Sequence, residues 1–458
     1  MKCNLILFLF SSCFVFSSSC TTVRYPQEVW LQYATPEEAG WSSSKLERAW
    51  EYYNEIGSGA VMVIYDGTVL AAWGNIERRY MCHSIRKSYL SALYGIHVGK
   101  GNINLNVTLA ALNIDDEPPL TKAEKNARVF DLLTSRSGVY HDAANESEEM
   151  SKYRPKRGSH PPGEFFWYNN WGFAALGTIF EQETNTRIFV EFKKQIADPL
   201  DMQDFRLELT NYQYEPDRSI HPGYPFRMST RDMARFGLLY LREGIWNNKQ
   251  IIPKNWTKES TSPHVVFDKP YFSYTGYGYM WWAGELGDSE KYKMYSASGY
   301  GGHSIDVLPA QNLVFVHRVD TYAQKNVDKA ERLKLLNMVL AAKVSEAKPH
   351  PKMMPIQDSL KRTDIVELAP NILDRYVKTY KVGNFEVIIT KSTNNGLLIE
   401  SRMKYKTGKF RLLPLSKTRF VAEDVEAPVS FGVDDSGNPV QITIEFPSGE
   451  KLYGSPID

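Results

Sequence analysis

Ser84-Ile85-Arg86-Lys87 introduces a strongly apolar run at residues 89–98, and this pattern predicts a helix over 85–99. A serine and a lysine three positions apart lie on the same face of a helix, one turn apart. A lysine that burial or a nearby positive charge keeps neutral can accept the proton of a hydroxyl. The spacing alone is weak, because it recurs at Ser42/Lys45, Ser345/Lys348, Ser401/Lys404 and Ser448/Lys451.

The segments around this stretch predict a sheet flanked by helices. Two β-type runs, 60–65 and 68–73, are joined by Asp66-Gly67, which is a strong hairpin signal. An amphipathic helix is predicted over 41–56, strands over 304–308 and 313–319, and a long helix over 325–347. Further helices are expected at 127–134, 171–183, 186–198 and 230–243. The fold class predicted is therefore α/β, an antiparallel sheet flanked by helices with a largely helical subdomain.

The C-terminal part of the chain has a different pattern. A proline-containing stretch at 348–359 is interpreted as a linker. After it, short strand-like runs at 385–389, 396–400, 410–414 and 440–446 are separated by turn residues. They predict a small β domain of sandwich or barrel type over 360–458. The large domain is placed at 41–347.

The N-terminus resembles an export signal. Lys2 precedes a mostly apolar run at 4–16, which is too short for a permanent membrane span. Three serines and then Cys20 follow, as in a bacterial lipoprotein signal. We expect a signal peptide at 1–19, lipidation of Cys20, a tether at 20–40 and anchoring in the bacterial cell envelope, in the periplasm or at the outer membrane. Ordinary secretion and a retained helix are the alternatives.

Composition narrows the possible partners. The 458 residues include 54 Lys and Arg against 53 Asp and Glu, a formal net charge of +1. Nucleic-acid binders need a basic excess to hold phosphates, so no nucleic-acid partner is expected. Zinc-protease, paired-cysteine and phosphate-loop motifs are missing, and the nine histidines lack zinc-ligand spacing. No metal or organic cofactor is predicted, and the sequence carries no indication of oligomeric state.

Two later segments add chemistry to Ser84 and Lys87. Tyr168 and Asn170 would point the same way on an extended loop. A phenol near a lysine can shuttle a proton, and a carboxamide can hold both the lysine and a substrate amide. The turn Tyr300-Gly301-Gly302-His303 precedes a strand, and its glycines would let backbone approach a ligand closely.

The order of these three elements resembles the serine β-lactamase and penicillin-binding-protein superfamily. Neighbouring phrases are similar to its class C-like branch of esterases, D-amino-acid peptidases and 6-aminohexanoate-dimer hydrolases. The resemblance covers about residues 35–345, and 360–458 is similar to the lipocalin-like domain often appended to such hydrolases. The phrases are Asp131-Leu132-Leu133, Arg136-Ser137-Gly138, Pro162-Gly163, 228–237, 277–282 and Leu373-Asp374-Arg375-Tyr376.

The resemblance implies a role for each residue of the three elements. Ser84 would be the acylated nucleophile, Lys87 its base and Tyr168 the partner acid and base. Asn170 would position Lys87 and the substrate. The backbone N–H groups of Ser84 and His303 would form the oxyanion hole.

One departure from the family pattern bears on the substrate. Tyr300-Gly301-Gly302 stands where true β-lactamases carry a cation that receives a substrate carboxylate. A small neutral ester or amide therefore fits better than a penicillin. Two alternatives stay open: a β-lactamase or D,D-carboxypeptidase-type penicillin-binding protein, and a catalytically weak ligand-binding protein of the envelope.

Overall fold

The computed structural model describes residues 23–271, 274–285, 293–357, 362–392, 396–402, 407–446 and 449–457. Its α-helices are α1 (Ser43–Glu55), α2 (Arg86–Gly99), α3 (Val129–Leu133), α4 (Glu148–Lys152), α5 (Asn170–Thr184), α6 (Ile188–Phe192), α7 (Thr230–Leu241), α8 (Lys254–Thr261), α9 (Lys329–Leu340) and α10 (Pro370–Leu373). None of the helices in the described residues is long and apolar enough to cross a membrane. The predicted signal peptide and Cys20 lie outside the described residues.

The strands divide between a large N-terminal domain and a C-terminal one. The first sixteen are β1 (Leu31–Tyr33), β2 (Ala60–Tyr65), β3 (Thr68–Gly74), β4 (Tyr80–Met81), β5 (Gln213–Glu215), β6 (Ser219–Gly223), β7 (Arg227–Met228), β8 (Ile245–Trp246), β9 (Lys249–Gln250), β10 (Val265–Tyr271), β11 (Tyr274–Tyr277), β12 (Trp282–Glu285), β13 (Lys293–Gly299), β14 (His303–Leu308), β15 (Leu313–Arg318) and β16 (Met353–Pro355). The last eight are β17 (Thr379–Val382), β18 (Phe385–Lys391), β19 (Leu397–Arg402), β20 (Thr407–Pro414), β21 (Arg419–Ala422), β22 (Ala427–Val433), β23 (Pro439–Glu445) and β24 (Lys451–Ile457).

A large sheet organises the N-terminal domain. Among the described residues it has ten strands in the order β10-β11-β12-β13-β14-β15-β2-β3-β1-β16. Its neighbours are antiparallel except β1 and β3, which run parallel. The predicted antiparallel sheet flanked by helices is thus confirmed. Residues 31–33 of the expected tether and 353–355 of the expected linker pair as strands at one edge of this sheet.

Successive strand residues point to opposite sides of the sheet, and every residue of the central strands β2, β14 and β15 is buried, so helices cover both faces. On β14, Ile305 packs towards α7, where a Cβ added at Gly237 would lie 2.8 Å from it. The next residue, Asp306, forms a buried ion pair with Arg332 of α9. Helix α1 packs on α9. Helices α2, α5, α6 and α8 pack together beside the sheet as the predicted helical subdomain.

The C-terminal domain is a closed antiparallel barrel of eight strands, β17 to β24, within the described residues. This confirms the expected small β domain and decides between sandwich and barrel. Aromatic side chains fill its interior: the Phe431 ring lies 4.4 Å from that of Tyr376, 5.6 Å from Phe420 and 5.7 Å from Tyr380, centroid to centroid. The barrel therefore has a packed core of its own.

Candidate active site

Ser84 occupies a short 3-10 turn, His83–Ile85, directly before α2. The preceding Cys82 donates its backbone N–H to the carbonyl of Phe226, 2.8 Å away. Cys82 and Ile85 are buried while Ser84 keeps part of its surface. The turn therefore presents the hydroxyl at the N-terminal end of a helix, where developing negative charge is stabilised.

Lys87 lies where the sequence predicts it, next to Ser84. Its Nζ is 2.8 Å from Ser84 Oγ, and the residue is 1% exposed. The amine also lies 4.7 Å from the ring centres of both Tyr168 and Phe173. Burial, and next the positive charge of Arg86, hold the pKa of Lys87 well below its ordinary value of 10.5. Lys87 is therefore suited to accept a proton from Ser84.

Arg86 is a buried guanidinium that forms no ion pair with a carboxylate among the described residues. Its Nε and one Nη are buried and have no hydrogen-bond partner within the described residues. Its guanidinium carbon lies 4.9 Å from the centre of the Tyr224 ring. By contrast, the buried Arg332 and Arg79 both pair with carboxylates. The charge of Arg86 therefore acts on its neighbour Lys87 with little internal compensation.

Tyr168 is brought to the same place by the loop before α5. The backbone N–H of Trp167 donates to the carbonyl of Ser135 at 2.9 Å, and Ser135 Oγ donates back to the Trp167 carbonyl at 3.0 Å. The Tyr168 ring stacks on Trp282 with centroids 5.3 Å apart. Burial raises the pKa of the phenol, and a hydrogen bond with Ser84 opposes that rise. The phenol is thus protonated at neutral pH, and its ring lies beside the Lys87 amine that contacts Ser84.

Asn170 begins α5 close to these groups but does not hydrogen-bond to Lys87. Its Nδ2 donates to the backbone carbonyl of Asn145 at 2.8 Å. Its Oδ1 is buried and has no hydrogen-bond partner in the described part of the chain. The predicted contact with Lys87 is therefore not formed in this structure, because the amide is turned towards the 145 loop. Its role towards a substrate stays a prediction.

The glycine-rich turn meets the catalytic candidates at the end of β13. A Cβ added at Gly299 would lie 2.6 Å from the carbonyl oxygen of Cys82 and 3.3 Å from the Cβ of His83, so the strand passes directly beside the turn that carries Ser84. Tyr300 is 72% exposed and its ring meets that of His83 edge-on at 5.5 Å. His303 is fully buried beside His83, with ring centroids 5.3 Å apart.

Arg318 is a supporting residue that sequence reasoning missed. It is fully buried at the end of β15 and donates to His303 Nδ1 at 2.9 Å. It also donates to the backbone carbonyls of Tyr80 and Met81, each at 3.0 Å. It therefore ties the central sheet to the strand that leads into Ser84. The available signal was a charged residue inside the apolar strand 313–319.

The family profile for Beta-lactamase matches residues 46–336, well over half of the chain. The chain belongs to this family. Ser84, Lys87, Tyr168 and the end of β13 all fall within the matched segment. The protein is thus a member of the serine β-lactamase and penicillin-binding-protein-like superfamily of serine hydrolases, as the motif order predicted.

Individual relatives are distant. An uncharacterised protein of Alkalihalophilus pseudofirmus is 23% identical over 272 residues, covering 54% of this chain and 75% of that protein. A putative beta-lactamase from Bacteroides dorei is 15% identical, with a TM-score of 0.51, 66% of this chain covered and 99% of that chain. A penicillin-binding protein homologue from Caulobacter crescentus is 13% identical, with a TM-score of 0.51, 68% of this chain covered and 99% of that chain. These two structures share the fold of the large domain.

Proposed function

We propose that this protein is an extracytoplasmic serine hydrolase that cleaves a neutral ester or amide through an acyl-enzyme on Ser84. The observation that carries the proposal is the 2.8 Å contact between Ser84 Oγ and the buried amine of Lys87. A serine hydroxyl is a weak nucleophile until a base removes its proton. A buried lysine of lowered pKa supplies that base at neutral pH.

Acylation follows from the positions of three side chains. Lys87 accepts the proton of Ser84 as Oγ attacks the substrate carbonyl carbon, forming a tetrahedral oxyanion. When this intermediate collapses, the bond to the leaving group breaks and the Tyr168 phenol donates a proton to the departing oxygen or nitrogen. The phenol then recovers its proton from Lys87. The Ser84 ester and the free alcohol or amine are the products of this half-reaction.

The oxyanion needs two backbone donors close to Ser84. The N–H of Ser84 is one, and we assign the other to the turn Tyr300–His303, which leaves β13 beside Cys82 and His83. Preorganised donors of this kind contribute about 3–4 kcal/mol each to transition-state stabilisation. A water molecule then attacks the carbonyl carbon of the Ser84 ester while Lys87 accepts its proton. When this second intermediate collapses, the bond between Ser84 Oγ and the acyl carbon breaks, Lys87 returns the proton to Oγ through the Tyr168 phenol, and the carboxylic acid leaves.

The first residue of this turn, Tyr300, supports the proposal of a neutral substrate. Tyr300 is exposed and uncharged, so it offers no ion pair to a substrate carboxylate. It offers a ring and a hydroxyl to an uncharged group instead. We therefore expect short-chain esters and D-amino-acid amides to be turned over faster than penicillins.

The proposal is tested by incubating the chain without residues 1–19 with a fluorophosphonate probe and then measuring its intact mass. We expect one adduct on the parent and none on Ser84→Ala. Ser42→Ala is the matched control, because Ser42 has the same spacing to Lys45 but that lysine contacts the carbonyl of Ala341. An adduct on Ser84→Ala, or none on the parent, would reject the mechanism. Acylation by benzylpenicillin at low concentration would instead favour the penicillin-binding alternative.

Export and lipid anchoring form the second part of the proposal. They are supported by the apolar run 4–16 followed by small residues and Cys20. Lipidation would place the hydrolase on a membrane surface of the bacterial envelope. Radiolabelled palmitate should enter the parent and not the Cys20→Ser variant when both are expressed in a bacterium, and equal labelling would reject the anchor.

A further inference from the structure

The residue before Ser84 is held in an uncommon backbone conformation. His83 has φ of +48°, in the left-handed region that side chains other than glycine seldom adopt. Such a conformation costs on the order of 1–3 kcal/mol and persists only where surrounding contacts impose it. The direction in which the chain leaves His83 sets the position of Ser84, so the contacts of His83 also determine where the hydroxyl lies.

The main polar contact of His83 comes from Thr321. The Nε2 atom of His83 and the Oγ1 atom of Thr321 are 2.9 Å apart. Thr321 also touches the glycine turn, since a Cβ added at Gly301 would lie 2.5 Å from Thr321 Cγ2. Thr321 therefore contacts both the segment that carries Ser84 and the turn that follows β13.

The same short helical turn, Thr321–Ala323, is docked on the C-terminal barrel. The ring of Tyr322 packs against the barrel core and meets Phe410 of β20 edge-on at 6.1 Å. Next to it, Asp320 accepts a hydrogen bond from Arg78 at 2.8 Å. Arg78 in turn donates to the backbone carbonyl of Asp424, in the barrel, at 2.6 Å. The turn is thus fixed from the barrel side.

A second barrel contact fixes the strand that enters the catalytic turn. Arg79 directly precedes β4 and pairs with Asp424 at 2.9 Å and with Glu423 at 2.6 Å. Arg79 and Asp424 are both largely buried, and a buried pair of this kind is strongly coupled. The barrel therefore holds both the chain that leads into Ser84 and the turn that contacts His83.

We propose that Thr321 is a positioning residue for Ser84, and that the barrel serves as a structural part of the active site by holding Thr321 and β4. The inference rests on the proposed function, because it takes Ser84 as the nucleophile. It assigns the barrel a role in the reaction of the large domain, in place of an independent ligand-binding role.

The test compares two substitutions of Thr321 in the full chain without residues 1–19. Thr321→Val keeps the shape and loses the hydroxyl, whereas Thr321→Ser keeps the hydroxyl. Displacements of about 1 Å at a reacting group reduce rates up to about 100-fold. We expect roughly 10- to 100-fold slower fluorophosphonate acylation for Thr321→Val and recovery to near the parent rate in Thr321→Ser, with similar melting temperatures. Equal rates in Thr321→Val and the parent would overturn the proposal.

The barrel contact is tested with Phe410→Ala, and Phe385→Ala of β18 is the matched control. We expect slower acylation in Phe410→Ala alone, with the barrel folded in both variants by circular dichroism. Equal slowing in both would show that only barrel stability matters and would overturn the barrel's role.

A parent that does not react with the probe would reject the proposed function without deciding this inference. A crystal structure of Thr321→Val then decides it: relaxation of His83 to a negative φ supports the positioning role, and an unchanged φ overturns it.

Discussion

Replacing Lys87 by methionine should strongly reduce activity and at the same time stabilise the fold. Methionine has nearly the length of lysine and suits the apolar space between Tyr168 and Phe173, where Lys87 is 1% exposed. Folding of the parent requires this amine to lose its proton, and this requirement lowers the free energy of unfolding of the parent. A residue that lowers the stability of the fold is expected at a position where the reaction requires it.

The size of the gain follows from the ordinary pKa of lysine, 10.5. Deprotonating a lysine costs about 1.4 kcal/mol for each pH unit below that value, or about 4 kcal/mol at pH 7.5. The lost hydrogen bond to Ser84 opposes this gain by about 1 kcal/mol. We therefore expect the free energy of unfolding of Lys87→Met to be higher than that of the parent by up to about 3 kcal/mol at pH 7.5.

The sign of the pH dependence distinguishes this explanation from better packing. Lys87 has a lowered pKa in the folded state, so the unfolded chain binds more protons and the parent gains stability as pH rises towards 10.5. The advantage of the methionine variant should therefore shrink as the pH rises, by at most about 1.4 kcal/mol per pH unit. Urea unfolding at pH 7, 8 and 9 measures it, with the exposed Lys100→Met at the end of α2 as control.

Activity provides the second readout for this variant. Loss of a general base lowers rates by about 100- to 10,000-fold. Fluorophosphonate labelling of Lys87→Met should fall by that factor at pH values above the acidic limb of the parent profile, where the Lys87 amine is neutral. A variant that is no more stable than the parent at pH 7, or whose stability difference does not change with pH, would contradict a neutral Lys87 in the folded protein.

Three further outcomes are expected. Arg86→Gln removes a buried positive charge beside the Lys87 amine, so the acidic limb of the pH–rate profile should move to higher pH while Arg86→Lys retains the parent profile; an unmoved limb in Arg86→Gln would exclude this influence. Gly299→Val places a side chain 2.6 Å from the Cys82 carbonyl and should slow probe labelling about 100-fold, and unchanged labelling would contradict the close approach. Phe431→Ala should lower the stability of the barrel by about 3–5 kcal/mol in urea unfolding, whereas parent-like stability would contradict a packed interior.

Local features were predictable because nearby residues specify them. Asp66 and Gly67 both have positive φ, as the tight hairpin between β2 and β3 requires, and the dipeptide alone predicted it. Ser84 and Lys87 meet because positions three apart face each other at the start of a helix.

Element ends were predicted less well where a cap was overlooked. The helix expected over 325–347 is Lys329–Leu340, and it begins where Asp328 and Glu331 form a reciprocal capping box. That signal was in the sequence. The edge pairing of β1 with β16 joins segments more than 300 residues apart, and no local pattern predicts such a partner.

The family, the α/β architecture with a terminal β domain, and the grouping of Ser84, Lys87 and Tyr168 were all predictable from the order of the residues along the chain. The three-dimensional packing was needed to show that Lys87 is buried beside the guanidinium of Arg86, and that Asn170 turns away from Lys87 to Asn145. The same packing revealed that the barrel docks on the turn carrying Thr321. The pKa of a side chain, its burial and the docking of a domain depend on groups supplied by distant parts of the chain, whereas a helix, a hairpin or a motif depends on neighbouring residues.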